Sequence, residues 1–136
     1  VLAAGRADPG VVSEFLGIGT DLVELDRFRL ALERRARIAE RLFSDDERAY
    51  AARFRNPVPH LAVRFGAKEA VMKAMGVGLW KFALRDVEVV RLASGQPTLV
   101  LHGRAAAMAE ERGVGTWHLT LTHSESMALA VAVALG

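Results

Sequence analysis

The 136-residue chain contains no cysteine. Disulfides and thiolate metal sites are therefore excluded, and nothing points to an oxidising compartment, which leaves the cytoplasm as the expected location. Its apolar runs fall short of the ~20 consecutive residues needed to span a bilayer. The opening VLAAGRADPGVVSEF lacks the charged start and apolar centre of a signal peptide and carries Gly, Pro and Asp at turn-like spacing. Residues 1–15 are expected to be an appendage, either a vector remnant or a natural extension, with residues 16–136 as one domain. No internal repeat and no dividing linker is present. No G-x-S-x-G elbow occurs, which disfavours a serine triad. His60, His102 and His118 lack metal-type spacing and receive no role.

What remains is the composition of one globular domain, 51% hydrophobic and 25% charged. The formal net charge is only +2, yet the arginines gather between Arg27 and Arg55. Such a cluster reads either as a solvated helix face or as a dock for an anionic partner.

Periodicity divides the chain. FLGIGTDLVEL, residues 15–25, reads as an apolar strand whose Gly17 and Gly19 mark a bulge or a close approach by another backbone. Asp26–Phe43 has helical spacing in two pieces. Ser44-Asp45-Asp46-Glu47 is a capping box opening a helix to about Arg55. Asn56-Pro57-Val58-Pro59 stops it, since proline lacks the amide and restricts its predecessor. His60–Met75 is the longest helix. Val87–Leu92 and Thr98–His102 are strands joined by Ser94-Gly95-Gln96-Pro97, a hairpin signal. Arg104–Arg112 is an Ala-rich helix. Trp117–Thr122 alternates, with Trp117, Leu119 and Leu121 inward, and Met127–Leu135 is a further strand. Adjacent strands imply antiparallel pairing, so the fold class is α+β, an antiparallel sheet packed against a long helix and shorter helices.

The segment RFGAKEAVMKAMGVG, residues 64–78, places charges in a helix otherwise built for burial. At about 100° per residue, Leu61, Ala62, Phe65, Glu69, Met72, Lys73 and Gly76 share one stripe, with Glu69 near its middle. Arg64 and Lys68 lie on another side, four residues apart, where like charges repel unless an anion lies between them. Glu69 and Lys73 read as an ordinary i,i+4 pair worth ~0.3–0.5 kcal/mol. Desolvating two charges costs more than that, which favours a ligand or metal as the compensating partner. Asp21, after GIGT, is either an Asx turn at a strand end or a second carboxylate for the same site. Two carboxylates without thiolates suit Mg²⁺, which keeps waters and takes phosphate oxygens. His123 and Ser124 stand at a strand end, where they are candidate phosphate contacts.

GIGTDLVEL, RFGAKEAVMKAMGVG, GQP and LTLTHSESMALA, in this order and separation, resemble the holo-(acyl-carrier-protein) synthases, a family of 4'-phosphopantetheinyl transferases, from Gly17 to about Leu135. The resemblance implies transfer of phosphopantetheine from coenzyme A to a serine of apo acyl carrier protein, releasing adenosine 3',5'-bisphosphate, in fatty acid biosynthesis. It implies Asp21 and Glu69 as Mg²⁺ ligands and, with Lys73 on the pyrophosphate, as the catalytic set. It further implies Arg64, Lys68, His123 and Ser124 as phosphate contacts, and the Gly95–Pro97 turn at the adenosine end. It implies too that Arg27, Arg34 and Arg37 take the place of the basic surface that docks the acidic carrier, and that the assembly is a homotrimer. No nucleic-acid or membrane partner is implied. Val77 stands where the family often has Thr, and 45–59 carries no family motif. The other reading is a noncatalytic trimeric module binding nucleotides or acidic proteins.

Overall fold

The structure, a computed structural model, describes residues 13–35, 37–78 and 81–136. The chain runs β1 (Phe15–Glu24), α1 (Leu25–Arg34), α2 (Ile38–Leu42), α3 (Asp45–Ala51), α4 (Val58–Met75), a single 3₁₀ turn (Leu84–Asp86), β2 (Val87–Arg91), β3 (Pro97–Leu101), α5 (Gly103–Glu111), β4 (Thr116–His123) and β5 (Met127–Leu135). The expected α+β class and antiparallel pairing hold: β5 lies between β1 and β4, while β2 and β3 form a separate hairpin.

Period-two patterning decides which face of the larger sheet meets α4. On β5 the buried positions are Ala128, Ala130, Ala132 and Ala134, and Leu129, Val131 and Val133 point to the other face. In register with this alanine row stand Gly19, Asp21 and Val23 of β1 and Leu119, Leu121 and His123 of β4. Small residues let the helix backbone come close. A Cβ at Gly19 would lie 1.8 Å from Ala70 O, and one at Gly17 would lie 2.0 Å from Ala74 O, so no residue but glycine fits either position without displacing α4. The bulge expected from these glycines also occurs, between Phe15 and Gly17.

Three boundaries differ from expectation. The helix opened by Ser44 stops at Ala51 rather than about Arg55. Helix α4 starts within the predicted stop, because Pro59 sits in its first turn, where a missing amide removes no intrahelical bond. Residues 1–12 of the expected appendage lie outside the described residues. Glu14 O accepts a hydrogen bond from Gly136 N at 2.7 Å, and Phe15 already pairs with Leu135, so the sheet reaches into the stretch expected to be appendage.

Helix α4 is the centre of the molecule. It is buried on nearly every side, the charged Arg64 and Lys68 included. Phe65, Glu69 and Lys73, spaced i, i+4, i+8, form its least buried line. Within the stripe that contains Glu69, the line Phe65, Glu69 and Lys73 is therefore the open edge of the helix, while Leu61, Ala62 and Met72 face the packing side that the sequence suggested. Among the described residues no helix is long and apolar enough to cross a membrane.

Candidate active site

The approach of β1 to α4 builds the first cluster. Asp21 and Glu69 line one groove with Leu22, Arg27, Phe28 and Phe65. Lys73 Nζ lies 3.3 Å from Asp21 Oδ1 and donates to Thr20 O at 2.9 Å, so the helix cation reaches the strand instead of closing the expected i,i+4 pair with Glu69. Burial pushes the Asp21 carboxyl up, against the lowering pull of Lys73. Burial, and after it the neighbouring Asp21 charge, push Glu69 up, with Lys73 again opposing. One ammonium is thus shared by two partly desolvated carboxylates, and a second cation at this point would relieve both. Among the described residues no group of three His, Cys, Asp or Glu is placed to hold a metal. The donor set is two carboxylates facing a groove, which fits Mg²⁺ with its remaining positions filled by water and phosphate oxygens.

Lys68 is placed elsewhere. Its side chain and that of Glu47 are both 0% exposed, and Lys68 Nζ lies 2.8 Å from Glu47 Oε1. The ammonium also donates to Val87 O. The expected phosphate contact is corrected: Lys68 has no surface to offer a ligand, and the anion that compensates it belongs to the chain. Burial lowers the Lys68 pKa, while the charge of Glu47 raises it.

A second cluster gathers where α3, α4, β2 and the end of β4 meet. The Arg64 guanidinium, buried, lies 4.3 Å from the centre of the Tyr50 ring and donates to His60 O at 2.9 Å. Arg91 Nη1 donates to Tyr50 Oη at 3.0 Å. His60 stacks on Phe54 with ring centroids 3.7 Å apart, and His123 lies edge-on to His60 at 5.8 Å. Burial, then Arg64, His123 and Arg91, hold the His60 pKa below its usual value. Cations outnumber anions here, and Arg64 Nε is buried without a hydrogen-bond partner among the described residues. A phosphate at this cluster would meet Arg91, His60 and His123 at the surface, with the buried Arg64 charge behind them.

The β2–β3 turn stands beside this cluster. Gly95 has φ +87°, and a Cβ there would lie 3.3 Å from Arg91 Nη2; Pro97 pairs with Arg91 across the hairpin. Ser124 is exposed, and its Oγ accepts from Ser126 N at 3.3 Å and Met127 N at 3.2 Å, closing the β4–β5 turn. His123 and Ser124 share a shallow depression with Arg29 and Asn56.

Arg27, Arg34 and Arg37 are all exposed on α1 and just before α2. Arg27 and Ile38 line both the Asp21–Glu69 groove and a neighbouring depression that includes Arg34 and Arg35. Arg37 and Arg41 lie beyond, again around Ile38. The basic surface therefore adjoins the carboxylate groove.

Sequence reasoning missed Glu47, Tyr50, His60 and Arg91. Glu47 was legible only as a cap. It does cap, Ser44 N donating to Glu47 Oε1 at 2.9 Å and Glu47 N to Ser44 Oγ at 3.1 Å, but its burial depends on partners distant in sequence. Tyr50, His60 and Arg91 come from three elements and share no spacing.

The model of the 4'-phosphopantetheinyl transferase superfamily matches residues 17–132. The holo-[acyl-carrier-protein] synthase of Caldanaerobacter subterraneus subsp. tengcongensis is 40% identical over 119 residues, covering 88% of this chain and 94% of that protein. The crystal structure of the holo-[acyl-carrier-protein] synthase from Neisseria meningitidis is similar with a TM-score of 0.81 and 31% identity, over 88% of this chain and 98% of the other. That of a holo-(acyl-carrier-protein) synthase from Bacillus anthracis, in complex with CoA (3',5'-ADP), gives a TM-score of 0.75 and 30% identity, over 92% and 99%. With the match spanning both the carboxylate groove and the cationic cluster, the chain belongs to the 4'-phosphopantetheinyl transferase superfamily.

Proposed function

We propose that this protein transfers 4'-phosphopantetheine from coenzyme A to a serine hydroxyl of apo acyl carrier protein, as a holo-(acyl-carrier-protein) synthase serving fatty acid biosynthesis in the cytoplasm. The observation that carries this reading is the convergence of Asp21 and Glu69 on one groove, with the Lys73 ammonium beside Asp21, in a chain of this family. The serine oxygen forms a bond to the phosphorus nearer pantetheine, its proton passing to Glu69 or to water, and the bond to the bridging pyrophosphate oxygen breaks, releasing adenosine 3',5'-bisphosphate. Such a transfer needs alignment and charge neutralisation more than covalent catalysis, so no nucleophile of the protein is required.

Asp21 and Glu69 would hold Mg²⁺, which when bound supplies positive charge to the pyrophosphate oxygens. Lys73, already between strand and helix, offers its ammonium to the same oxygens. Arg64, Arg91, His60 and His123 form the cationic cluster for the terminal 3'-phosphate, with Gly95 and Pro97 beside the adenosine. Ser124 would add its hydroxyl there. Arg27, Arg34 and Arg37, joined by Arg35 and Arg41, meet the acidic carrier and speed its encounter, an effect screened by salt. Their continuity with the groove lets a docked carrier deliver its serine to Asp21 and Glu69.

A homotrimer is part of the proposal. The sheet face opposite α4 carries Ile18 and Leu22, 59% and 61% exposed, in register with Val133 and Leu129 of β5. An apolar face of that kind on a small protein calls for a second layer, and further copies of the chain supply it.

The reaction is tested by mass spectrometry of apo acyl carrier protein incubated with the protein, coenzyme A and Mg²⁺. Gain of one phosphopantetheine on the carrier serine is expected. Binding of coenzyme A with no modification of fatty-acid, polyketide or peptide-synthetase carriers would instead favour a noncatalytic module.

A further inference from the structure

The buried Glu47–Lys68 pair is placed where it can govern cofactor recognition without touching the cofactor. Glu47 accepts from three donors: Ser44 N and Lys68 Nζ on Oε1, and Val89 N on Oε2 at 3.1 Å. Lys68 adds a bond to Val87 O. The two side chains thereby tie α3, α4 and β2 together at one point. One helical turn along α3 from Glu47 is Tyr50; one turn back along α4 from Lys68 is Arg64; two residues beyond Val89 on β2 is Arg91. These three form the outer rung, Arg64 over the Tyr50 ring and Arg91 on its hydroxyl. Inner and outer rungs join the same three elements, so the register fixed by the inner one sets where the outer cations stand.

We propose that Glu47 and Lys68 are positioning residues for recognition of the cofactor's terminal phosphate. Their directional, wholly desolvated contacts hold α3 and β2 against α4 in the one register that brings Arg64 and Arg91 together beside His60 and His123. Apolar side chains of equal volume would fill the space but would permit α3 and β2 to slide, because hydrophobic contact has no direction. The inference rests on reading the cationic cluster as the 3'-phosphate subsite.

The test compares coenzyme A with 3'-dephospho-coenzyme A as substrate. Single charge removals leave the partner unpaired in the core, so the main variant is Glu47→Gln with Lys68→Met, checked for folding by circular dichroism. The expected result is a rise of about tenfold in KM for coenzyme A, kcat within about twofold, and little change in KM for the dephospho form, so that discrimination between the two falls about tenfold. A merely structural pair would raise both KM values equally or lower only Tm, and unchanged discrimination would overturn the proposal. Should the double variant fail to fold, Glu47→Gln alone, nearly isosteric, is expected to shift discrimination in the same direction by about threefold, and no shift overturns it. Arg91→Ala separates the two layers of the argument. Loss of discrimination there with none in the Glu47 and Lys68 variants removes the positioning role alone, whereas no loss in Arg91→Ala removes the subsite reading and the inference with it.

Discussion

Lys73 Nζ stands 3.3 Å from Asp21 Oδ1 and also holds Thr20 O, so a helix ammonium is fastened to the strand that carries the first carboxylate. The Lys73 side chain remains 54% exposed, and an exposed pair of this sort stabilises a fold by at most ~1 kcal/mol. Lys73→Ala is therefore expected to lower kcat/KM by about 10² to 10³, the usual cost of losing one group that stabilises developing charge. Its Tm should stay within a few degrees of wild type. Steady-state kinetics and a thermal melt together check this; a melt that collapses alongside activity would make Lys73 structural.

The carboxylates carry the opposite signature. Both Asp21 and Glu69 have folded pKa values above their ordinary 3.8 and 4.5. A carboxyl raised in this way stabilises the fold fully below its ordinary value, and that contribution is lost as pH rises through the higher folded value. Once ionised, the two carboxylates repel. Glu69→Gln should accordingly raise Tm at pH 7 in metal-free buffer while abolishing turnover, and the gain should shrink toward pH 4. Mg²⁺ should raise the Tm of the wild type, by about 1.4 kcal/mol of stability at ten times its Kd, and leave Glu69→Gln unmoved. A Tm indifferent to Mg²⁺ in the wild type would remove the metal from the groove.

His60 offers a titration of the other cluster. Burial and the surrounding cations hold its pKa below 6.5, and a bound phosphate would reverse the electrostatic part of that shift. Coenzyme A should then bind with proton uptake slightly below neutral pH, measured by calorimetry in buffers of different ionisation enthalpy. Arg64→Lys, which loses the planar stack on Tyr50, should weaken coenzyme A binding about tenfold or more. Proton release, or no exchange, would place the phosphate elsewhere.

Gly19 tests the packing that brings the carboxylates together. Its Cβ would overlap Ala70 O at 1.8 Å, contact that backbone cannot absorb by rotamer change. Gly19→Ala should cost about 3 kcal/mol or more, beyond an ordinary overpacking penalty, and appear as lost soluble yield or a strongly lowered Tm. Gly78→Ala, with nothing among the described residues within 4 Å of its Cβ, is the matched control and should melt near wild type.

Much of this arrangement is readable in the chain because it is periodic or local. Alternation along Trp117–Thr122 and the small residues of Met127–Leu135 place the strands and their inner face. Gly17 and Gly19 mark the close approach of α4, and Asp21 follows from them two residues on. The fate of Lys68 is not readable, because its partner Glu47 lies 21 residues away and looks like a helix cap, which it also is. The same limit hides His60 and Arg91: each is unremarkable in its own element, and only the meeting of α3, α4 and β2 around Tyr50 makes them a cluster. The helix stripe misleads for a related reason. A helix buried on most sides has no single packing side, so Glu69 and Lys73 mark its open edge while Lys68, next to Glu69 in sequence, is buried.

The most direct measurement is the rate of carrier modification, followed by mass spectrometry across a Mg²⁺ titration, for the wild type, Asp21→Asn and Glu69→Gln. The expected result is Mg²⁺-dependent transfer of phosphopantetheine by the wild type and a loss of at least about 10²-fold in each variant, with both variants folded. Transfer at the wild-type rate by either variant would contradict the placement of catalysis between β1 and α4.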